Sequence, residues 1–329
     1  MQISQSTINR LLALLIPSLL LIACQTAAAE SQPPSAVPSP TPEPTVTSEP
    51  TASAAPEISS LSMIAVGDVM LARTVNRQMI TYEDWNWPYL ETADILQEAD
   101  LTIGNLETPI TETCIPDDLS QVFCADTRSV DGLVWAGFDA LSLANNHTMD
   151  RGEEGFQTTL DYLVAAEIAP IFESDYIYRD EINGINLAIV GFDDVNAARD
   201  FEPTLDLVEA LDRRHDVVIG MLHWGFEYHP TANPRQEAFG RALVDAGMDV
   251  VIGHHPHWIQ PYEEYNDGLI FYSLGNFVFD QMWSQQTRQG HILDLVITKE
   301  DDEIHYDYEL IPVVIYLYGQ PRVEEFSSN

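Results

Sequence analysis

Residues 250–257 read Val-Val-Ile-Gly-His-His-Pro-His, a short apolar run that ends in three histidines. An apolar, β-branched run between Gly247 and Gly253 predicts a buried strand in a sheet covered on both faces. We expect Gly253 to let the backbone turn, so that His255 and His257 point from an extended backbone into one cleft. The stretch therefore predicts a strand that delivers metal ligands at its carboxyl end. A loop with surface histidines is the alternative.

Four other predicted strands end in residues of the same chemical types. These ends are Asp68 after 61–66, Glu107 after 100–103, Asn146 with His147 after 138–143, and His223 after 216–222. Helical patterns alternate with the strands at 87–99, 156–164, 204–213 and 239–246. This alternation predicts an α/β fold, in which ligands bind at the carboxyl ends of the strands.

Antiparallel pairs are predicted in two places. Asn183-Gly184, between apolar runs at 176–182 and 185–192, is a strong two-residue hairpin signal. The runs 292–298 and 304–314 predict a second pair. The segment 110–130, rich in acids, predicts an irregular excursion at the rim of the cleft.

The residues at the strand ends predict a centre for one or two divalent cations. The predicted ligands are Asp68, Glu107, Asn146, His223, His255 and His257. Carboxylate, amide and imidazole donors together suit Mn, Fe, Zn or Co better than Ca. His147 is better placed as a general acid or oxyanion stabiliser than as a ligand. The residues expected to support the ligands or to contact substrate are Arg73, Asn105, Asn145, His254 and Asn276.

Each of these residues also has a structural interpretation. Asp68 and Glu107 could cap turns or helices, Asn146 could be a turn residue, and His223 could be a hydrogen-bonded core imidazole. Caps alone do not readily explain five separate strand ends with ligand-type residues. The set as a whole therefore favours the metal centre.

The composition limits the class of partner. Fifty-two acidic residues against fourteen Lys and Arg give a formal charge of −38. This charge argues against nucleic acid and anionic lipid surfaces as nonspecific partners. An anionic substrate would need local positive charge at its site.

The amino terminus predicts an exported lipoprotein, with an ordinary signal peptide or a buried helix as the alternative. The apolar run 11–21 follows Arg10 and precedes Cys24, as in a bacterial lipoprotein signal peptide that spans 1–23. Residues 24–57, rich in Pro, Ser, Thr and Ala, predict a disordered tether, followed by a folded domain at 58–318 and a tail at 319–329. In an exported protein, Cys114 and Cys124 are a plausible disulfide, and two free thiols are the alternative.

Six segments together resemble the bacterial CapA family of poly-γ-glutamate capsule proteins. They are Gly67-Asp68-Val69-Met70-Leu71, Gly104-Asn105-Leu106-Glu107-Thr108-Pro109, Ala144-Asn145-Asn146-His147, His223-Trp224-Gly225, Gly253-His254-His255-Pro256-His257 and Tyr272-Ser273-Leu274-Gly275-Asn276-Phe277. The resemblance implies a metallophosphoesterase-like fold, a four-layer α-β-β-α sandwich of two mixed β-sheets. It also implies the six ligands named above, with His147 as catalytic acid, and a membrane-anchored role in capsule synthesis with other capsule-synthesis proteins.

The chain departs from general metallophosphoesterases at two ligand positions. Those enzymes have Asp-x-His where this chain has Asp68-Val69-Met70, and usually Asp where Glu107 stands. Because Met is a poor ligand for hard divalent ions, one metal position is expected to be weak, empty or completed differently. Three functions are therefore compared: a metal-dependent hydrolase or transferase acting on an envelope polymer, a nonenzymatic polymer-binding or assembly factor, and a plain phosphodiesterase.

Overall fold

The computed structural model of the chain describes residues 58–196, 198–301 and 303–324. The predicted signal peptide, the tether and Cys24 lie outside these ranges. The described part is a mixed α/β structure, as the alternation of patterns predicts, and it contains two large mixed sheets. No helix within it is long and apolar enough to cross a membrane.

The larger sheet has eight strands in the described ranges. Their order is β16 (Gln320–Val323), β15 (Glu303–Tyr316), β14 (Gln289–Glu300), β1 (Ile58–Val69), β2 (Leu101–Leu106), β5 (Ala140–Ser142) and β6 (Ala169–Ile171), with β13 (Asn276–Val278) also beside β1. Strands β1, β2, β5, β6 and β13 pair in parallel, and β14 to β16 pair antiparallel. The sheet continues past residue 318, where the sequence analysis ends the domain, because a turn at Gly319 returns the chain onto β15.

The smaller sheet has six strands in the same ranges. Their order is β11 (Ile259–Tyr265), β12 (Gly268–Leu274), β10 (Val250–His254), β9 (Val217–His223), β8 (Ile185–Asp193) and β7 (Tyr178–Ile182). The four central strands are parallel and the two edge strands antiparallel. The predicted Asn183-Gly184 hairpin joins β7 to β8, and both turn residues have the positive φ that its tight turn requires. A two-stranded sheet of β3 (Ile110–Thr111) and β4 (Ala125–Asp126) stands apart.

Six α-helices connect the strands in the described ranges: α1 (Arg73–Tyr82), α2 (Ala93–Glu98), α3 (Ser129–Ala136), α4 (Gly152–Ala165), α5 (Phe201–Asp212) and α6 (Pro234–Asp245). Asn233 and Gln236 form a capping box at the start of α6. The helix stops just before Gly247, whose φ of 100° few other residues tolerate. Local sequence therefore sets both ends of the helix that leads into β10.

The prediction of a single helix over 87–99 is wrong. A 3-10 turn at Trp87–Tyr89 comes first, and the amide of Thr92 donates to Tyr89 O at 3.0 Å before α2 begins. The excursion at 110–130 is not wholly irregular, because it contains β3 and β4 and runs into α3. The sequence patterns did not predict α1 or α3, and neither has a side-chain cap that would mark its start.

Three apolar clusters hold the sheets and helices together. The first lies between the two large sheets and takes alternate residues from each, such as Leu61 and Ile103 from one and Ile219 and Ile252 from the other. The second packs the opposite face of the larger sheet against α1 to α4. The third packs β8, β9 and β10 against α5 and α6. Each large sheet therefore has one face on a shared core and the other on helices.

Candidate metal centre

The carboxyl ends of the central strands carry the predicted ligands. Asp68 lies near the end of β1, Glu107 directly follows β2, and His223 ends β9. His255 and His257 follow β10. All five side chains are buried, with at most 5% of any residue exposed.

The structure brings these side chains into two groups that share Glu107. One group is Glu107, His223 and His255, and the other is Asp68, Glu107 and His257; within each, the ligand atoms lie within 4.8 Å of one another. Glu107 Oε1 is 3.8 Å from His223 Nε2 and 4.0 Å from His257 Nε2. The sixth predicted ligand, Asn146, places its Oδ1 2.9 Å from His223 Nε2. Glu107 is therefore the residue common to both groups.

Glu107 provides the test of whether these residues fit a metal. Both of its carboxylate oxygens are buried without a hydrogen-bond partner in the described part of the chain, and so is His255 Nδ1. Burying a carboxylate without a partner costs roughly several kcal/mol of folding free energy, so such groups are rarely left unpaired. A divalent cation would satisfy these atoms, and carboxylate, amide and imidazole donors are the types that transition metals accept. The residues present therefore fit a divalent metal.

Asparagines orient the predicted ligands from behind. Asn105 Nδ2 donates to Asp68 Oδ1 at 2.9 Å and lies 3.3 Å from His223 Nδ1. Asn145 Nδ2 donates to Asn105 Oδ1 at 3.1 Å. Asn276 Oδ1 lies 3.0 Å from Nδ1 of the predicted ligand His257, which leaves Nε2 directed at Glu107. The contact with Asn276 fixes which ring nitrogen of His257 is available to a metal.

His254 lies behind the ligands as well. Its Nδ1 is 3.5 Å from Asp68 Oδ1, an ion-pair distance rather than a good hydrogen bond. Burial alone would raise the pKa of Asp68, but the imidazoles of His254 and His257 outweigh it and hold that pKa well below its usual value. Asp68 is therefore an ionised carboxylate held against two imidazoles.

The pKa values of the other predicted ligands are shifted in different directions because their environments differ. Burial raises the pKa of Glu107 well above its usual value. Burial lowers the pKa of His255 to about 3, with repulsion from His257 adding, and also lowers that of His223. For His257 burial acts in the same direction, but Glu107 and Asp68 outweigh it and raise the pKa to about 9. The pKa shifts of His223 and His255 favour the neutral imidazole, the form that binds metals.

His147 is placed differently from the ligands. Its Nδ1 lies 2.8 Å from Asp150 Oδ2, and its Nε2 faces Glu107 Oε1 at 3.7 Å. Its ring stacks on Phe123 with 3.9 Å between the centroids. The side chain is 16% exposed, more than those of the predicted ligands Asp68, Glu107, His223 and His257. A group held in this way can pass a proton to a molecule in the cleft.

The backbone around the histidine cluster departs from the predicted arrangement. Strand β10 runs through His254, so Gly253 is not the turn. A Cβ at Gly253 would lie 2.0 Å from Tyr272 O, so the glycine permits the close approach of β12. The turn comes at His255 and His257, whose φ values are 90° and 55° rather than extended. Such backbone strain, about 1 to 3 kcal/mol for each residue, often accompanies functional sites.

The comparison with protein families places this chain in a known group. The model of the family described as bacterial capsule synthesis protein PGA_cap matches residues 62–281, more than half of the 329-residue chain. The chain belongs to this family. All twelve predicted ligands and neighbouring residues of the centre, from Asp68 to Asn276, fall inside the match.

Relatives of this PGA_cap chain support the assignment. The PGA biosynthesis protein CapA of Bacillus subtilis (strain 168) is 33% identical over 282 residues, which cover 78% of this chain and 72% of that protein. The capsule biosynthesis protein CapA of Bacillus anthracis is 33% identical over 258 residues, covering 70% of this chain and 62% of that protein, less than two thirds of its length. A solved structure of a hypothetical protein from Thermus thermophilus is 18% identical, with a TM-score of 0.45, and covers 76% of this chain and 99% of that chain.

Two other residues singled out in the sequence are not members of the groups of ligand atoms. Met70 is fully buried in the apolar cluster beneath the helices, and its sulfur accepts a hydrogen bond from the Ala72 amide at 3.1 Å. Arg73 pairs with Asp280, and its guanidinium lies 4.8 Å from the ring centroid of Phe123. Arg73 lines a cleft of about 550 Å³, and its positive charge acts to lower the pKa of Glu107.

The excursion at the rim is tied to the centre. Cys114 and Cys124 form a disulfide, with their Cα atoms 5.6 Å apart. Phe123, next to Cys124, stacks on His147, and its amide donates to Asp150 Oδ2 at 2.6 Å. The disulfide therefore anchors the segment that packs against His147.

Sequence reasoning missed two acidic residues at the centre. The sequence pattern indicates only a helix start at Asp150, although this residue lies three residues after His147, a spacing compatible with a side-chain contact in a turn. Glu227 belongs to a third group of ligand atoms, with His255 and His257. It lies in a loop four residues beyond His223, and no sequence pattern marks it.

Proposed function

We propose that this chain is a metal-dependent hydrolase or transferase of capsule biosynthesis that acts on an anionic envelope polymer, poly-γ-glutamate or a related material. The observation that carries the proposal is the Glu107 carboxylate, buried without a hydrogen-bond partner in the described ranges and shared by two groups of ligand-type side chains. The printed names of the two Bacillus relatives, which refer to capsule and PGA biosynthesis, suggest the polymer.

We also propose that the fold is the four-layer α-β-β-α sandwich of metallophosphoesterases. The three apolar clusters support this interpretation. They lie between helices and the larger sheet, between the two large sheets, and between the smaller sheet and helices. The position of the ligands at the carboxyl ends of parallel strands from both large sheets agrees with it.

The metal would be held by Asp68, Glu107 and His257 in one position and by Glu107, Asn146, His223 and His255 in the other. A bound divalent cation would polarise the scissile group and lower the pKa of water, which is the chemistry that the side chains alone lack. It would also supply the local positive charge that an anionic polymer needs at a chain with a formal charge of −38.

His147 is the general acid in this proposal. Asp150 accepts from Nδ1, so a proton carried at Nε2 faces the cleft. The stacked Phe123 ring holds the imidazole in this orientation. His147 can thus donate to a leaving group while the neighbouring ligands bind the reacting group.

Export and lipid anchoring complete the proposal and rest on the sequence. Cleavage before Cys24 and lipidation of its thiol would place the folded domain outside the cytoplasm at the membrane surface. Globomycin treatment or Cys24→Ala should release the protein from the membrane fraction. If the variant fractionates as the wild type does, the anchor is not at Cys24.

The central test combines metal analysis with an activity panel. The purified protein should contain bound Mn, Fe, Zn or Co and should turn over a γ-glutamyl peptide or an ester. Hydrolysis of a chromogenic phosphodiester alone would favour the plain phosphodiesterase. Wild-type protein that holds no divalent metal and gains no melting temperature from any of these ions would contradict the proposal.

A second candidate is a nonenzymatic factor that binds the polymer end in the same cleft. Met70 favours it, because this buried side chain occupies the position where general metallophosphoesterases have a histidine ligand. Bound metal without turnover on any ester or amide of the panel would support this alternative.

A further inference from the structure

Glu227 offers a carboxylate to the centre from outside the predicted set. Its oxygen and the ligand nitrogens of His255 and His257 lie within 4.8 Å of one another. Unlike the two histidines, Glu227 is exposed, so it approaches the cleft from the solvent side. His255 and His257 belong to different ligand groups, and Glu227 is therefore next to both metal positions.

The loop that carries Glu227 is built to hold it there. The adjacent Tyr228 has a φ of 61°, and its amide donates to Pro256 O, inside the histidine cluster, at 2.8 Å. Its hydroxyl accepts from Gln281 Nε2 at 3.0 Å, and its ring packs edge-on against Trp283 at 4.9 Å between centroids. These contacts fix the residue that follows Glu227 against the His255–His257 segment, which limits how far the carboxylate can move away.

The two ligand groups differ in the number of donor atoms that they contain. The group of Glu107, His223 and His255 also has the Asn146 oxygen beside it, at 2.9 Å from His223 Nε2. The group of Asp68, Glu107 and His257 has three donors, because Met70 lies in the apolar core. Protein-bound transition metals usually take at least four ligands. A nearby carboxylate beside His257 is the missing type of donor.

We infer that Glu227 is a metal ligand that completes the position formed by Asp68, Glu107 and His257, in place of the histidine that Met70 replaces. This inference rests on the proposed metal centre and adds a ligand to it. Because the other donors of that position are buried and Glu227 is exposed, this metal is the more readily exchanged of the two. Removing one carboxylate from the solvent side should affect it selectively.

The test compares Glu227→Gln with a control that also removes one exposed negative charge. Asp267→Asn is suitable, because Asp267 lies in the β11–β12 turn, at the opposite end of β12 from the centre. Chelator-treated proteins should be titrated with Mn²⁺ by calorimetry, and their metal content measured after desalting. The expected result is that Glu227→Gln loses one ion for each chain or binds it about tenfold or more weakly, whereas Asp267→Asn matches the wild type.

A spectroscopic measurement guards against indirect effects. The visible absorption of the Co²⁺-loaded protein reports the ligands of the ion, and it should change in Glu227→Gln and not in Asp267→Asn. The metal-free variants should melt as the metal-free wild type does. Identical Mn²⁺ binding and Co²⁺ spectra in wild type and Glu227→Gln would overturn the inference and leave the proposed function standing. Wild-type protein that binds neither ion would overturn both.

Discussion

Acidic residues stand at both ends of the parallel strands, and the two ends use them in opposite ways. At the amino ends, one aspartate directly precedes each of four strands and accepts a hydrogen bond from a backbone amide of the neighbouring strand. The pairs are Asp100 with Ser62, Asp139 with Thr102, Asp216 with Asn186, and Asp249 with Val218, at 2.7 to 3.0 Å. At the carboxyl ends, Glu107 has no such partner in the described ranges.

The difference separates acids that join strands from the acids of the candidate centre. The backbone amide of each amino-end aspartate also donates to the carbonyl of the same partner residue. Two hydrogen bonds therefore join each pair of residues where the neighbouring strands begin to pair. Asp68 and Glu107 are instead surrounded by imidazoles and asparagines, most of them also at strand ends. The lack of a hydrogen-bond partner in the described ranges, rather than residue type or burial, therefore distinguishes Glu107 from the amino-end aspartates.

The largest expected effect is at Glu107. Glu107→Gln should lower divalent-metal affinity by more than about a hundredfold. Mutating a residue that only orients a ligand costs about tenfold to a hundredfold, and the loss of a ligand shared by both groups should cost more. The same change removes an ionisable group whose pKa burial raises, so the metal-free variant should gain stability relative to the metal-free wild type as the pH rises. Metal titration and thermal melting with chelator measure the two effects.

Asp139→Asn is the matched control for Glu107→Gln. Its amide oxygen can still accept from the Thr102 amide, and the residue lies at the other end of the strands. We expect unchanged metal binding. Equal loss of metal in both variants would mean that the two ends do not differ in function.

The pH dependence of stability tests the amino ends through Asp249. Burial raises the pKa of Asp249 to about 6, against 3.8 for an unperturbed aspartate. Because the pKa is higher in the folded state than in the unfolded state, ionisation of Asp249 disfavours folding. The free energy of unfolding therefore falls as the pH rises from about 4 to above 6, by at most about 3 kcal/mol. Asp249→Asn should therefore match the wild type near pH 4 and be more stable at pH 7 in urea unfolding.

Asp216→Asn should show the opposite sign in the same assay. Burial would raise the pKa of Asp216, but Lys299 outweighs it and lowers that pKa. The carboxylate thus adds stability above the unfolded pKa and loses it as the pH falls, so the variant should be less stable than the wild type at pH 7. Neither variant should change metal content, and a change in either would contradict a purely structural role.

His147 sharpens the comparison within the carboxyl ends. His147→Ala should keep the bound metal and reduce turnover by about a hundredfold, the usual scale for a general acid. Asp150→Asn should have a smaller effect, because it removes the partner of Nδ1 and not the acid itself. Metal content and turnover should be measured on the same preparation, and loss of metal in His147→Ala would make this residue a ligand.

The smallest effect is expected from the disulfide. Replacing Cys114 and Cys124 by Ser together should lower the free energy of unfolding by about 2 kcal/mol, since the bond closes a short loop. Metal binding should persist, because the excursion contacts His147 and not the predicted ligands. Thiol counting on the exported, denatured and unreduced protein should find neither cysteine free, and two reactive thiols would show that the bond does not form there.

Much of the fold followed from local patterns. The strands at 217–223 and 250–254, the Asn183-Gly184 hairpin and the antiparallel pair around residue 301 lie where alternation, turn residues and apolar runs predict them. The failures have local causes too. A continuous apolar stripe over 87–99 could not reveal the turn closed by Thr92, and the prediction of a turn at Gly253 missed its part in the close approach of β12.

The sequence alone determined which chemical groups stand at the end of each strand. Apolar runs predict the strands, and the polar residue that follows each run is read directly from the chain. The tertiary structure decided which of those residues work together. In the folded chain, Glu227 lies beside His255 and His257, and His147 pairs with Asp150. Met70 lies in the apolar core. Asp249 accepts a hydrogen bond from a backbone amide, whereas Glu107 has no partner in the described ranges. Whether a buried polar group has a partner depends on residues distant in sequence, so only the packed sheets could separate structural acids from the candidate centre.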